Sequence, residues 1–176
     1  MSVSARTFLL VALATLSLSS LRAADRSALV GTWAFDAARS TDLSPWRSSQ
    51  LTISRIGDQL TIARDLTTGR RNHHESMTLD LTAESTTVAV PWWADNRHLG
   101  AYTEPDSTKT VRAKFVDGDR VLRLETELTL ETQQGPRDVN ILSQYEVSPD
   151  GRVLTVFDLR STRPRPVVHV FQRVTE

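Results

Sequence analysis

The chain has 176 residues, with 21 Lys and Arg against 21 Asp and Glu, four histidines and no cysteine. That balance excludes a nucleic-acid binder working by an excess of cations on phosphates. Lack of cysteine excludes a disulfide framework, a thiolate metal site and a lipid-bearing cysteine.

Met1 to Arg6 carries one positive charge, Phe8 to Leu18 is apolar or small throughout, and Leu21-Arg22-Ala23-Ala24 offers a small-residue cleavage site. This three-part layout predicts a secretory signal peptide over 1–23, cut near Ala23, and a single domain over 24–176. The apolar run is about eleven residues, whereas a helix needs about twenty to cross a bilayer. The expected product is therefore periplasmic or secreted, with no stable membrane anchor. Losing Arg6 and Arg22 leaves a net charge of about −2, and about 150 residues suffice for a core without disulfides.

From Leu29 onward apolar residues recur at every second position, as in Leu51-Thr-Ile53, Leu60-Thr-Ile62, Met77-Thr-Leu79-Asp-Leu81, Leu122-Arg-Leu124 and Val139-Asn-Ile141. A period of two marks antiparallel strands with one buried face. Strands are predicted at 29–36, 49–56, 59–66, 71–81, 85–90, 107–116, 120–132, 138–147, 152–160 and 166–174, separated by turn signals such as Gly57-Asp58, Thr68-Gly69-Arg70, Gln134-Gly135-Pro136 and Ser148-Pro149-Asp150-Gly151. Those residues supply the positive and fixed φ values that hairpins need. No segment has a helical stripe long enough for a parallel crossover. The fold expected is all-β, an antiparallel up-and-down barrel of about eight to ten strands that leaves no free edge.

Leu29-Val30-Gly31-Thr32-Trp33, followed by Phe35-Asp36-Ala37-Ala38-Arg39-Ser40, opens the domain, and Ser148-Pro149-Asp150-Gly151 and Val170-Phe171-Gln172-Arg173 close it. These segments resemble the lipocalin-like small β-barrels of exported bacterial proteins. The resemblance implies that Gly31 and Trp33 form the closed end of the barrel and that Arg173 lies across the tryptophan face, a structural role. The disulfide and the mid-chain motif usual in secreted lipocalins are not evident, and no metal or cofactor is implied.

Alternation carried back from Met77, Leu79 and Leu81 puts Arg71, His73 and Glu75 on the inner face and His74 outside. A hairpin turning at 67–70 would set His73 opposite Arg64 and Glu75 opposite Ile62. Two readings follow: a polar patch of Arg64, Arg71, His73 and Glu75 aimed at a ligand headgroup, or an ion-pair cluster satisfied within the rim. Ser143 and Tyr145 also face inward, so the tyrosine hydroxyl needs a ligand or a side chain as partner. Adjacent His73 and His74 point apart and cannot share a metal, and His98 and His169 are distant in the chain.

Pro91 cannot donate to a ladder, so Trp92 and Trp93 fall in a long connection before the strand beginning near Ser107, where a lid or lip over the barrel mouth is expected. Asp95, Arg97, His98, Tyr102 and Glu104 make that segment the densest in acid and base groups. No nucleophile elbow, phosphate loop or paired-histidine metalloprotease motif is present, and the charges Glu125, Glu127 and Glu131 oppose a face of leucines and are read as solvated.

The leading reading is a non-catalytic barrel that binds a small apolar or amphipathic molecule at Trp92, Trp93, Arg64, Arg71, His73, Glu75 and Tyr145. Its alternative is a barrel filled by Phe115, Leu124, Tyr145 and Phe157 that binds an envelope protein through Trp46, Trp92 and Trp93. A small hydrolase or isomerase has the least support.

Overall fold

The computed structural model describes residues 27–94, 100–117 and 120–175. Each alternating strand has one apolar face to bury, and ten of them bury it together by curling into one antiparallel sheet. They are β1 (Gly31–Phe35), β2 (Ser48–Ile56), β3 (Gln59–Thr67), β4 (Asn72–Asp80), β5 (Thr86–Ala89), β6 (Thr108–Asp117), β7 (Val121–Leu130), β8 (Arg137–Val147), β9 (Val153–Arg160) and β10 (Val167–Arg173). Every predicted strand lies within two residues of one of these. The order β4-β3-β2-β1-β10-β9-β8-β7-β6-β5 makes a meander in which the first and last strands pair.

The barrel is nearly closed, and the expectation of no free edge is corrected at one seam, where β4 and β5 share no ladder. At the foot of that seam the Asp80 N–H donates to the Thr86 Oγ1, 3.2 Å away, where a ladder would supply a strand carbonyl. β5 is four residues long and ends just before Val90-Pro91, and a proline has no N–H with which to extend pairing.

Hairpins at 57–58, 81–85 and 148–152 lie at one end, the floor. Its core is apolar, with Leu29, Trp33, Leu60, Leu79, Leu122 and Leu154 all at 0% exposure. Burying a side chain of this size contributes about 1.5–3 kcal/mol. The Trp33 indole N–H donates to the Leu29 carbonyl at 2.9 Å, and the Arg173 guanidinium lies over its ring, 4.0 Å from the centroid. Gly31 starts β1 with φ +144°, and a Cβ there would stand 2.5 Å from Arg173 Nη1. Only glycine lets the backbone and the guanidinium approach so closely.

Connections 36–47, 68–71, 131–136 and 161–166 gather at the other end, the mouth, with the described parts of the β5–β6 connection, 90–94 and 100–107. The first is laced to β10: the Thr41 N–H donates to the Val168 carbonyl at 2.7 Å, and the Val170 N–H to Ser40 Oγ at 2.8 Å. The Trp46 indole N–H donates to the Ala94 carbonyl at 3.1 Å, tying this connection to the segment after Pro91.

One inward residue is corrected. Phe157 does not fill the barrel; it is 37% exposed on the outer face, since Leu154 and Val156 take the inner positions of β9. The same parity turns Asp158 and Arg160 inward, which places two charged side chains in the mouth half of the interior.

Candidate functional site

A cavity of about 330 Å³ lies against the seam between β4 and β5. Its apolar wall is Leu51, Ile62, Met77, Val88 and Val90, and its polar wall is Arg64, His73, Glu75, Lys109 and Tyr145. Ligand pockets usually measure about 300–1,000 Å³ and combine apolar lining with a few placed polar groups. This one meets both criteria at the small end of the range.

The ladders explain why these groups meet. Arg64 on β3 is opposite Leu51 on β2 and Glu75 on β4, so all three stand in one row across the inner face. One row floorward come Ile53, Ile62 and Met77, and one row toward the mouth come Ser49, Leu66 and His73. Lys109 on β6 is paired with Val88 on β5 and closes the cavity from the far side of the seam.

The expected pairing of His73 with Arg64 and of Glu75 with Ile62 is therefore corrected by two residues: Leu66 opposes His73, and Met77 opposes Ile62. A four-residue turn, with Thr67 paired to Asn72, produces the shift. A slip of two keeps every side chain on its predicted face. Arg71 is a second correction. It lies in that turn, exposed and outside the cavity lining, where its N–H bonds Thr68 Oγ1 at 3.3 Å. His74 points outward to Asp65, with Nδ1 and Oδ1 2.7 Å apart.

Electrostatics give the polar wall a direction. Burial lowers the Lys109 pKa, with Glu75 and then Asp158 opposing it. Burial drives the Tyr145 hydroxyl well above the ordinary tyrosine range, helped by Asp158 and Glu75 against Arg64. Tyr145 thus stays protonated and offers a donor. Arg64 Nε donates to Ser49 Oγ at 3.1 Å, while its Nη2 is buried with no acceptor among the described residues. A buried unsatisfied donor is costly, so an acceptor from a ligand would relieve it. The Arg64 and Tyr145 donors therefore suit a group that presents an acceptor. Ser143, also inward, is satisfied by Asp158 Oδ1 at 2.6 Å.

The two adjacent tryptophans part company at the mouth. Trp92 turns to the cavity, its ring 4.1 Å from that of His73 and 5.9 Å from that of Trp46, with Trp46 stacked on His73 at 6.1 Å. Burial lowers the His73 pKa, and of its charged neighbours Glu75 raises it and His74 lowers it. Trp93 packs instead on Ala101, Leu128, Leu130 and Val139, with the Arg160 guanidinium 5.7 Å from its ring centroid. The expected three-tryptophan docking patch is corrected at Trp46, which is only 9% exposed, while Trp92 is exposed at 44%.

Tyr102 bridges to Glu131, its side chain exposed, and Glu104 is exposed too. Asp95, Arg97 and His98 lie outside the described residues. Among the described residues, no group of three or more His, Asp or Glu is placed to hold a metal.

Lys109, Asp158 and Arg160 escaped the sequence reading. Their signal was parity: Lys109 shares a face with Val111 and Ala113, and Asp158 and Arg160 share one with Leu154 and Val156.

No protein-family model matches the chain, and no curated protein matches its sequence. Solved structures do match. A fatty acid binding protein from Schistosoma mansoni, in complex with arachidonic acid, superposes with a TM-score of 0.54 at 11% identity, over 85% of this chain and 98% of that one. A secretory abundant heat soluble protein from Ramazzottius varieornatus does so with a TM-score of 0.50 at 12% identity, over 84% and 96%. At such identities the likeness is one of fold.

Proposed function

We propose that the protein is an exported, non-catalytic barrel that holds one small amphipathic molecule, its apolar body against Leu51, Ile62, Met77 and Val88 and its anionic group at Arg64, Lys109 and Tyr145. The observation that carries this reading is the cavity itself: about 330 Å³ of open space with an apolar wall on one side and, on the other, a buried guanidinium nitrogen with no acceptor among the described residues. A barrel filled by its own side chains would have neither. Fold likeness to a fatty acid binding protein supports a lipid-like carboxylate as the ligand class.

Physical chemistry sets the division of labour. Apolar burial supplies affinity at about 0.8 kcal/mol per methylene, and the charge-assisted bonds fix orientation. The lipocalin-like opening and the leader over 1–23 support an exported carrier, and N-terminal sequencing of the protein from periplasmic and culture fractions, expected to begin near Ala24, tests that part. For the ligand, the protein purified from its host is extracted with organic solvent and the extract examined by mass spectrometry. An amphipathic acid at close to one per chain is expected; a clean extract together with no displacement of a fluorescent fatty acid overturns the reading.

A further inference from the structure

Lysine is rare in this chain, which places arginine at all of its basic Lys or Arg positions except Lys109 and Lys114. Lys114 is exposed, whereas Lys109 is turned into the cavity beside the seam, whose lining includes Met77, Val88, Val90 and Tyr145. We propose that Lys109 captures an aldehyde at the end of an apolar chain, binding it covalently and reversibly as an imine. The proposal rests on the reading of this cavity as the ligand site and adds to it a second class of ligand.

Strand pairing fixes the place of the amine. Lys109 lies on β6 between Val88 of β5 and Leu128 of β7, on the inward face that the buried Val111 continues. Ladders on both sides hold its backbone, so its side chain enters the cavity from one wall while Arg64, Glu75 and Tyr145 enter from β3, β4 and β8. An apolar chain laid along Leu51, Ile62 and Met77 brings its head group to these same polar side chains.

The choice of lysine over arginine decides the chemistry. A guanidinium such as that of Arg64 keeps its proton, whereas an ammonium can release one and become a nucleophile. At Lys109 burial lowers the pKa, with Glu75 and then Asp158 opposing it, so a larger share of this amine is neutral than on an exposed lysine. Its lone pair adds to the carbonyl carbon. The amine then gives up both of its protons, which leave with the carbonyl oxygen as water. One C=O bond is thereby exchanged for one C=N bond, with neither oxidant nor reductant. Tyr145, kept protonated by burial, offers the carbonyl oxygen a hydrogen bond from another strand of the lining. The apolar chain of the ligand displaces the water that would reverse the step.

The test treats the unchanged protein with decanal and cyanoborohydride, which reduces an imine to a stable secondary amine, and maps the product by peptide mass spectrometry. A decyl group on Lys109 is expected at about tenfold or more the level on Lys114, because a bound aldehyde meets the amine at a high effective concentration. Excess decanol, which shares the chain but forms no imine, is expected to suppress the Lys109 adduct and to leave the labelling of Lys114 as it was. Lys109→Arg keeps the charge and removes the nucleophile, and is expected to unfold cooperatively in urea and to gain no adduct at that position or elsewhere above the Lys114 level. Equal labelling of the two lysines, or labelling of Lys109 that decanol does not suppress, would overturn the proposal. Displacement of a fluorescent fatty acid by decanoate, measured alongside, separates the two readings of the cavity. Displacement with Lys109 unlabelled overturns the aldehyde proposal alone, whereas a decanol-sensitive adduct on Lys109 without displacement supports it and overturns only the preference for an anionic head.

Discussion

The Arg173 guanidinium lies 4.0 Å from the centroid of the Trp33 ring while donating to the carbonyls of Gly151, Val30 and Ala28 at 2.6, 2.9 and 2.5 Å. One side chain from the last strand thereby covers the floor tryptophan and binds the chain that enters the barrel to the β8–β9 turn. The contact is mechanical, and its loss should show in stability before it shows in binding.

Gly31→Ala puts a methyl group against Arg173 Nη1 at a φ that L residues avoid, and a loss of about 1–3 kcal/mol is expected. Trp33→Ala empties a fully buried site and should cost about 3–5 kcal/mol. Urea denaturation of both variants checks the values. A midpoint equal to that of the unchanged protein in Trp33→Ala would mean that this ring does not hold the floor.

The parting of Trp92 from Trp93 predicts different spectroscopic roles. A quenching fatty acid titrated into the protein should lose most of its effect in Trp92→Phe and keep it in Trp93→Phe. Equal loss in both would place the ligand over the whole mouth.

His73 supplies a pH dependence whose sign is set by its lowered pKa. Below the ordinary value of 6.5, the unfolded chain takes up this proton before the folded one does. Stability is therefore whole above that pH and falls as the pH drops from it through the folded pKa. Substituting Gln for His73 should flatten that part of the curve in chemical denaturation at stepped pH. A slope unchanged by the substitution would show that another group titrates there.

Lys109 follows the same sign from a higher start. Its charge is held at a cost below 10.5, the ordinary lysine value, so Lys109→Met should raise the melting temperature at neutral pH. The same change should weaken binding of a carboxylate more than that of the matching alcohol. A melting temperature that falls would mean that Glu75 and Asp158 more than repay the burial.

Much of this was legible in the chain because barrel strands obey a strict period of two. The run Leu122, Leu124, Leu128 and Leu130 announces its buried face, and the inward placement of Arg64, His73 and Glu75 follows from Ile62 and Met77 by parity alone. Register is harder. Turns with similar residues differ by one or two positions, and the turn at 68–71 moved each partner of β4 by two. Arg71, predicted to open the strand over 71–81, lies in that turn instead. Lys109 and Asp158 show the opposite fault, for parity places them inside, yet attention to dense polar stretches passed over single charges in apolar strands. The seam at β4 and β5 and the opposed directions of Trp92 and Trp93 depend on contacts distant in sequence, which no local period encodes.

The central claim is that the cavity beside the seam takes an apolar chain with an anionic head, and a chain-length series tests it most directly. Saturated monocarboxylates of increasing length are used to displace a fluorescent fatty acid from the protein. Affinity should climb about fourfold with each added methylene, as apolar burial dictates, and then level off once the space is full. Met77→Trp should bring that plateau to shorter chains. An affinity independent of chain length, or a series unchanged by Met77→Trp, would contradict the assignment of this cavity as the ligand site.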